Sequence, residues 1–206
     1  MRRLAIETAT EACSVALFED GALIGHAHEL VGRGHAERLI PMIAGLPDRG
    51  RAGQVLVDCG PGSFTGVRVG LAAARAFGLA WSAEVRGYSS LALIAAATFA
   101  AYGGFDTLTV AITGGHGEYF TQGFERLGMR MIAPLASLKP EQAAAQSRGE
   151  ALVGSGAEAL RTAGAAGRVL APIHADARDT ALLPPEAVAL APRPIYGRAP
   201  DARLPG

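Results

Sequence analysis

The segment Gly60-Pro-Gly-Ser-Phe-Thr-Gly-Val-Arg-Val-Gly70 carries the residues best suited to chemistry. An apolar run at residues 55–57 precedes it and an apolar-periodic stretch follows it, which predicts a strand, a tight turn and a helix to Trp81. Such a turn can cradle phosphate, because the N–H groups at a helix N-terminus attract anions. The segment has neither the G-K-[ST] ending of a phosphate-binding loop nor the third glycine of a dinucleotide motif. Phosphate binding therefore stays open beside helix packing, which the spacing favours.

Small residues recur at every fourth position along this predicted helix, at Gly66, Gly70, Ala74 and Gly78. Residues four apart share one helix face. Each interior glycine costs a helix roughly 1 kcal/mol relative to alanine, so three on one face need a reason. Close approach of another backbone is the usual one. We expect this stripe to be a contact surface for a neighbouring molecule.

Few other residues suit metal or nucleophilic catalysis. His26 and His28 share one face of a predicted strand, but no third metal ligand is evident near them. Cys13 and Cys59 lie in apolar runs, which is typical of buried thiols and not of a disulfide framework or a zinc site. Neither H-E-x-x-H nor G-x-S-x-G occurs, so peptidase activity is not expected.

The composition is that of a folded chain with no net charge. Of 206 residues, 50% are hydrophobic, and 19 Lys and Arg balance 19 Asp and Glu. Tight direct binding of RNA by this chain alone is therefore disfavoured, because phosphate contacts normally need a basic surplus. The apolar run at residues 91–102 is shorter than the ~20 residues of a membrane span. Glu7 ends the first apolar stretch too early for a signal peptide. We expect a cytoplasmic protein.

The order of predicted elements indicates an α/β fold in two parts. The first part has strands at residues 4–8, 13–18, 22–28, 54–59 and 83–87, and helices at 35–46, 64–81 and 90–101. After Tyr102-Gly-Gly the second part has strands at residues 107–113, 118–124, 130–133 and 151–154, and helices from 140, over 156–165 and over 184–191. We expect domains at residues 1–102 and 103–206, ending in an extended tail that bears Arg193, Arg198 and Arg203.

With these residues in place, the chain resembles the bacterial TsaB (YeaZ) family of tRNA threonylcarbamoyladenosine biosynthesis. The matching segments are Leu4-Ala-Ile-Glu-Thr-Ala-Thr-Glu-Ala-Cys-Ser-Val-Ala-Leu17, His35-Ala-Glu-Arg-Leu-Ile-Pro41, Gly60 to Gly70, Gly87-Tyr-Ser-Ser-Leu91 and Pro194-Ile-Tyr-Gly-Arg-Ala-Pro200. The first four cover the N-terminal half in the right order. The turn at residues 113–116 departs from the family pattern, which puts contacts to a third component in doubt.

The resemblance implies an actin-like ATPase fold of two RNase-H-like lobes, each with a mixed sheet flanked by helices. It also implies a non-catalytic scaffold that forms a homodimer, pairs with the catalytic paralogue TsaD and works with the ATPase TsaE. That complex transfers threonylcarbamoyl to the adenosine beside the anticodon, so tRNA is met only through the complex. ATP and a metal belong to the partner subunits, and this chain needs no cofactor of its own. The family contact lies on the helices at 35–46 and 64–81, so we expect an interface at His35, Leu39, Met42, Ile43, Leu46, Gly66, Gly70, Ala74 and Gly78.

In the actin-like fold an acidic-glycine-threonine turn after the first strand binds nucleotide. The equivalent turn here is Glu7-Thr8-Ala9-Thr10, with alanine where glycine would let phosphate approach. A vestigial nucleotide site would use Glu7, Thr8, Thr10, Gly60, Gly62 and Ser63. Alternatively, the threonines only satisfy a hairpin turn. The catalytic paralogue binds metal through His-x-x-x-His, and no two histidines here have that spacing.

Three functions are thus in competition. The first is the scaffold subunit. The second is a stand-alone nucleotide-dependent kinase or hydrolase of the actin-like fold, with its site at Glu7 and the Gly60 to Gly62 turn. The third is a tRNA-binding module that uses the arginines of the tail. Calorimetry with ATP and magnesium separates the second from the first, and salt-dependent tRNA binding by the isolated chain separates the third.

Overall fold

Two five-stranded mixed sheets form the framework of residues 1–197, the part of the chain that the computed structural model describes. The first sheet contains β1 (Arg2–Glu7), β2 (Ala12–Glu19), β3 (Ala22–Leu30), β4 (Gln54–Asp58) and β5 (Glu84–Tyr88), in the order β3-β2-β1-β4-β5. In it β1 pairs antiparallel with β2 and parallel with β4. The second sheet contains β6 (Thr107–Thr113), β7 (Tyr119–Glu125), β8 (Met131–Leu138), β9 (Ala151–Val153) and β10 (Arg168–Val169), in the order β10-β9-β6-β7-β8.

Helices cover these sheets. They are α1 (His35–Ala44), α2 (Phe64–Trp81), α3 (Ser90–Ala101), α4 (Pro140–Gln146) and α5 (Ala157–Thr162), with 3-10 helices at Pro47–Gly50, Leu127–Met129, Ala177–Leu182 and Pro185–Val188. Ser63 caps α2, since its hydroxyl accepts a hydrogen bond from the Gly66 N–H at 3.2 Å. No helix within residues 1–197 is long and apolar enough to cross a membrane.

The first sheet is buried on both faces because its side chains alternate between two hydrophobic clusters. Leu4 and Ile6 of β1 face the cluster under α1 and α2. Ala5 faces the other cluster, which also contains Leu91 of α3 and Leu108 of β6. The helix α3 is apolar on every side and is buried by both sheets, as its sequence requires. One continuous core therefore joins the two sheets.

The predicted fold class is confirmed: each of two mixed sheets is flanked by helices in the actin-like arrangement. Some elements differ in extent. β8 runs to Leu138, well past the predicted end at residue 133, and the predicted helix at 184–191 is only the 3-10 turn Pro185–Val188. Two prolines begin that turn, alanines follow, and none of its residues is buried. Too little apolar surface is therefore buried to stabilise a longer helix. The division into domains at residue 102 stays a prediction, and Arg198 and Arg203 lie outside the described residues.

Candidate functional site

The two turns selected from the sequence meet at one edge of the first sheet. β1 and β4 are parallel neighbours, so their carboxyl ends bring Glu7 and Asp58 side by side. Glu7 Oε1 accepts hydrogen bonds from the backbone N–H groups of Ala9 at 2.9 Å and Thr10 at 3.1 Å, and from the Thr10 hydroxyl at 3.2 Å. The Thr8 hydroxyl donates to the Gly66 carbonyl at 2.8 Å. These bonds are those of a closed turn packed on the start of α2.

Glu7 and Asp58 form a fully buried carboxyl pair. Asp58 Oδ1 accepts from the Gly60 N–H at 2.6 Å and the Ser90 hydroxyl at 2.8 Å. The other oxygens, Glu7 Oε2 and Asp58 Oδ2, are buried without a partner unless one carboxyl carries a proton. Burial, and then the neighbouring charge of Asp58, raises the pKa of Glu7 well above its usual range, and burial also raises the pKa of Asp58. Both shifts favour protonation of the pair in the folded chain.

Asp58 is a site residue that the sequence reasoning missed. It ends a strand whose preceding residues, Val55 to Val57, are all fully buried. A carboxylate at the end of an apolar run was a usable signal, because it must either reach solvent or find a partner. The partner, Glu7, is far away in sequence and becomes a neighbour only through the parallel pairing of β1 and β4.

The turn that contains Gly60 and Gly62 packs directly against the turn that follows β1. A Cβ at Gly62 would overlap the carbonyl oxygen of Ala9, and one at Gly66 would overlap that of Thr8. The Ser63 N–H donates to the Ala9 carbonyl at 2.7 Å. The glycines here permit contact between two segments of the same chain. Nucleotide binding by these turns stays a prediction.

The small-residue stripe of α2 faces its own sheet, so the expected surface for a neighbouring molecule is wrong. A Cβ at Gly70 would overlap the Thr8 hydroxyl, and one at Gly78 would overlap the side chain of Val85 in β5. Ala74 is completely buried. The expected close approach does occur, but the neighbour is the chain itself. Spacing shows which residues share a face and does not show what lies opposite.

The interface residues expected on the first helix segment are also wrong. The residues named were His35, Leu39, Met42, Ile43 and Leu46, and all five are buried within the chain. Four of them are apolar and belong to the cluster under α1 and α2. The ring Nε2 of His35 lies 3.0 Å from the carbonyl oxygen of Thr10 and 3.2 Å from that of Ala12. Carbonyls only accept, so Nε2 carries the proton and fixes the first turn of α1.

The outward side of the same two helices is where apolar side chains meet solvent. Ile40 of α1 is 50% exposed, Phe64 of α2 is 61% exposed and Leu79 of α2 is 87% exposed. We define the outer helix face as these three residues together with the exposed alanines Ala36, Ala44, Ala72, Ala76 and Ala80. The two helices that carry this face contact each other. Side chains this small let another helix approach closely.

A cavity of about 530 Å³ lies between the two sheets. Its wall is mainly apolar and includes Val67, Ile94, Ile112 and Phe120, and hydroxyls of Thr113 and Ser155 lie at its rim. Of the predicted nucleotide residues, Thr10, Gly62 and Ser63 line the cavity. Glu7 and Thr8 are fully buried. The structure thus places three of the six predicted nucleotide-site residues on the cavity wall, whereas Glu7, Thr8 and Gly60 do not line the cavity.

His26 has a structural partner, and burial keeps both cysteine thiols unreactive. Nε2 of His26 lies 2.8 Å from Asp176 Oδ1, and the Ser14 hydroxyl donates to the same oxygen at 3.1 Å. Within residues 1–197 no group of three or more His, Cys, Asp or Glu residues could hold a metal ion. Burial raises the pKa of Cys13 and of Cys59 to about 11. Both thiols are therefore protonated and poor nucleophiles at neutral pH.

Comparison with known proteins gives consistent matches. The family model of TsaD, tRNA N6-adenosine threonylcarbamoyltransferase, matches residues 25–168. The tRNA threonylcarbamoyladenosine biosynthesis protein TsaB of Escherichia coli (strain K12) is 38% identical over 133 residues, which cover 61% of this chain and 56% of that protein. Its namesake from Haemophilus influenzae is 45% identical over 103 residues, which cover 47% of this chain and 42% of that protein.

The chain spans about half the length of these curated relatives. Among solved structures, YeaZ from Pseudomonas aeruginosa superimposes with a TM-score of 0.81 at 27% sequence identity. That superposition covers 95% of this chain and 99% of the YeaZ chain. The fold described above is therefore shared along nearly the whole chain.

Proposed function

The chain belongs to the TsaD family, in its TsaB (YeaZ) branch, and we propose that it is a non-catalytic scaffold subunit of a tRNA threonylcarbamoyladenosine synthase complex. It supports a TsaD-type catalytic subunit, which transfers threonylcarbamoyl to the adenosine beside the anticodon. A TsaE-type ATPase is the third component, and ATP and a metal are held by the partner subunits. The chain works in the cytoplasm and meets tRNA only within the complex.

The outer helix face is the observation that carries this proposal. Its members are apolar and exposed, whereas the opposite sides of α1 and α2 are used by the chain's own core. We assign this face to the TsaD-type subunit, which would place two of its own helices there in a four-helix contact. An assembly of this kind should bury more than ~1,000 Å² of accessible surface, summed over both partners. Formation of a homodimer through the same face is the competing outcome in solution.

The burial of the chain's titratable groups favours a scaffold role over a catalytic one. The carboxyl pair of Glu7 and Asp58 has no exposed surface, so it does not touch a substrate. The raised pKa of Cys59, about 11, leaves little thiolate at neutral pH. These groups stabilise the turns that position the start of α2. The interface, and not a reacting side chain, is then the functional part of the molecule.

Ala76→Glu tests the assignment of the outer helix face. A carboxylate there would be buried without a partner in the complex, so we expect affinity for the TsaD-type subunit to fall by at least about tenfold. Ala145→Glu in α4 is the matched control, because Ala145 is an exposed helical alanine away from this face. Size-exclusion chromatography and titration calorimetry with the TsaD-type subunit of the same organism measure the effect. Unchanged affinity of folded Ala76→Glu protein would refute the assignment.

The inter-sheet cavity supports a second candidate, a stand-alone nucleotide-dependent kinase or hydrolase. Thr10, Gly62 and Ser63 line the cavity, and its volume of about 530 Å³ can hold a small molecule. Titration of the isolated chain with ATP and magnesium distinguishes the two functions. Stoichiometric binding with turnover would replace the scaffold proposal, and the scaffold predicts neither.

A further inference from the structure

The last described segment of the chain, residues 190–197, runs across the molecule from one sheet to the other, and we call it the strap. It begins at the edge of the first sheet, where Leu190 forms an antiparallel bridge with Gly87 of β5. Midway, the Ile195 N–H donates to the Cys59 carbonyl at 2.8 Å. At its end Gly197 lies against the ring of Phe120 in β7, so closely that a side chain there would overlap the ring.

Two arginines of α2 hold the strap from the side. Arg75 donates to the Pro192 carbonyl at 2.8 Å, and Arg68 donates to the Tyr196 hydroxyl at 3.4 Å. The Arg68 guanidinium also stacks over the Phe64 ring, 3.5 Å from its centroid. Residues seven apart lie two turns apart on one helix face, so both arginines reach the same side. Both bonds are exposed to solvent, which makes each of them weak.

The strap also forms one wall of the inter-sheet cavity. Residues 194–197 line it opposite Val67, Ile94 and Ile112. Tyr196 is 58% exposed, so it lies at the mouth of the cavity and not in its interior. A segment held by a few backbone bonds and two exposed arginines opens at lower free energy than the sheets beneath it. Ile195 of the strap packs against the cluster under α1 and α2, so movement of the strap would expose this side chain while it changes access to the cavity.

We propose that the strap is a lid on the cavity between the sheets, held closed by Arg68 and Arg75, and that it opens while both sheets stay folded. Opening breaks the bonds to Cys59, Arg68 and Arg75 and withdraws the wall formed by residues 194–197. The lid gates entry of a small molecule to the mainly apolar cavity. This inference goes beyond the scaffold role, because it needs no partner subunit.

The two native cysteines provide a direct test. Both cysteines are fully buried in the cluster under α1 and α2, but the Cys59 Sγ lies 3.8 Å from the Ala191 carbonyl oxygen of the strap, whereas Cys13 belongs to β2. A thiol reagent such as N-ethylmaleimide reaches Cys59 when the strap opens and reaches Cys13 only when the first sheet unfolds. Peptide mass spectrometry follows the two labelling rates separately. We expect Cys59 to be labelled faster than Cys13 in the native chain.

Removing the arginines should accelerate opening selectively. In the double variant Arg68→Ala, Arg75→Ala we expect labelling of Cys59 to rise about tenfold, because two hydrogen bonds to the strap are lost, with the rate at Cys13 unchanged. Arg38→Ala is the control, since Arg38 of α1 pairs with Glu29 of β3 and not with the strap. Ile94→Cys adds a thiol on the cavity wall, and its labelling should rise with that of Cys59.

Three results would overturn the proposal. Equal labelling of Cys59 and Cys13 would mean that the strap leaves only when the sheet unfolds. An unchanged Cys59 rate in the double arginine variant would show that the arginines do not hold it. Faster labelling of Cys59 without faster labelling of the thiol introduced by Ile94→Cys would show that the strap moves without opening the cavity. All of these labelling rates are measured on the isolated chain, without a partner subunit. The lid proposal can therefore be refuted without refuting the scaffold proposal.

Discussion

Two buried carboxyl groups side by side are the most unusual chemistry in this chain. Glu7 caps the turn after β1, and Asp58 holds the turn after β4 through Gly60 and Ser90. Each carboxyl satisfies backbone N–H groups that would otherwise be buried without acceptors. A proton between them removes the repulsion that two charges would produce. The pair thus links the two turns at the start of α2.

The pair makes the stability of the chain depend on pH. The pKa of Glu7 is raised in the folded chain above its ordinary value of 4.5. As the pH rises above 4.5, the unfolded chain therefore loses this proton while the folded chain still keeps it. The free energy of unfolding should therefore be highest below that value and fall as pH rises toward the folded pKa. Glu7→Gln keeps the acceptor oxygen and supplies a permanent donor to Asp58. We expect it to stabilise the chain at pH 8 by at least about 1 kcal/mol.

Urea unfolding at pH 5 and pH 8 measures this effect. The native chain should lose stability between the two values, and Glu7→Gln should lose less. Glu141→Gln in α4 is the control, because the Glu141 side chain is exposed to solvent. An identical pH dependence in the native chain and in Glu7→Gln would show that no proton is held between Glu7 and Asp58.

At the scale of elements, α2 has two faces with different tasks. Its small residues allow the helix to lie directly on β1, β4 and β5, with Gly66 against Thr8 and Gly78 against Val85. Its exposed side carries Phe64, Leu79 and a row of alanines. Intramolecular packing accounts for the glycines, and the proposed partner accounts for the apolar exposure. A glycine stripe alone is therefore a poor guide to which face binds another protein.

Gly66→Ala tests the inward packing of α2. Alanine is the better helix former, but its Cβ would overlap the Thr8 carbonyl, which cannot move without disturbing β1. We expect the free energy of unfolding to fall by about 2 kcal/mol or more. Gly115→Ala is the matched control, because nothing lies within 4 Å of a Cβ there. Urea denaturation compares them, and equal stability of the two variants would contradict this packing.

The whole molecule is held together through α3. Its side chains belong to the cluster that also contains Ala5 and Leu56 of the first sheet and Leu108 and Val110 of the second. The 3-10 helix Ala177–Leu182 returns from the second half of the chain to contact β2 and α3. Such sharing of one core opposes independent unfolding of the two sheets.

Unfolding should therefore be a single transition. Trp81, the only tryptophan, ends α2 and stacks on Phe77 with ring centroids 4.4 Å apart, so its fluorescence reports the first sheet and its helices. Far-ultraviolet circular dichroism reports both sheets. We expect the two signals to coincide in urea, and Leu91→Ala to shift both together by a loss of about 3 kcal/mol. Separate midpoints would instead support two domains divided at residue 102.

The sequence by itself determined most of the order of the elements, which residues of α1 and α2 share one face, and the family segments from Leu4 to Leu17 and from Gly60 to Gly70. These follow from residue periodicity and turn chemistry, which depend on covalent geometry within a few residues. The tertiary structure decided what lies opposite each face. It placed the glycine stripe on the chain's own sheet, Asp58 beside Glu7, and the strap over Cys59. Those contacts join residues far apart in sequence, and no local pattern contains the identity of a distant neighbour.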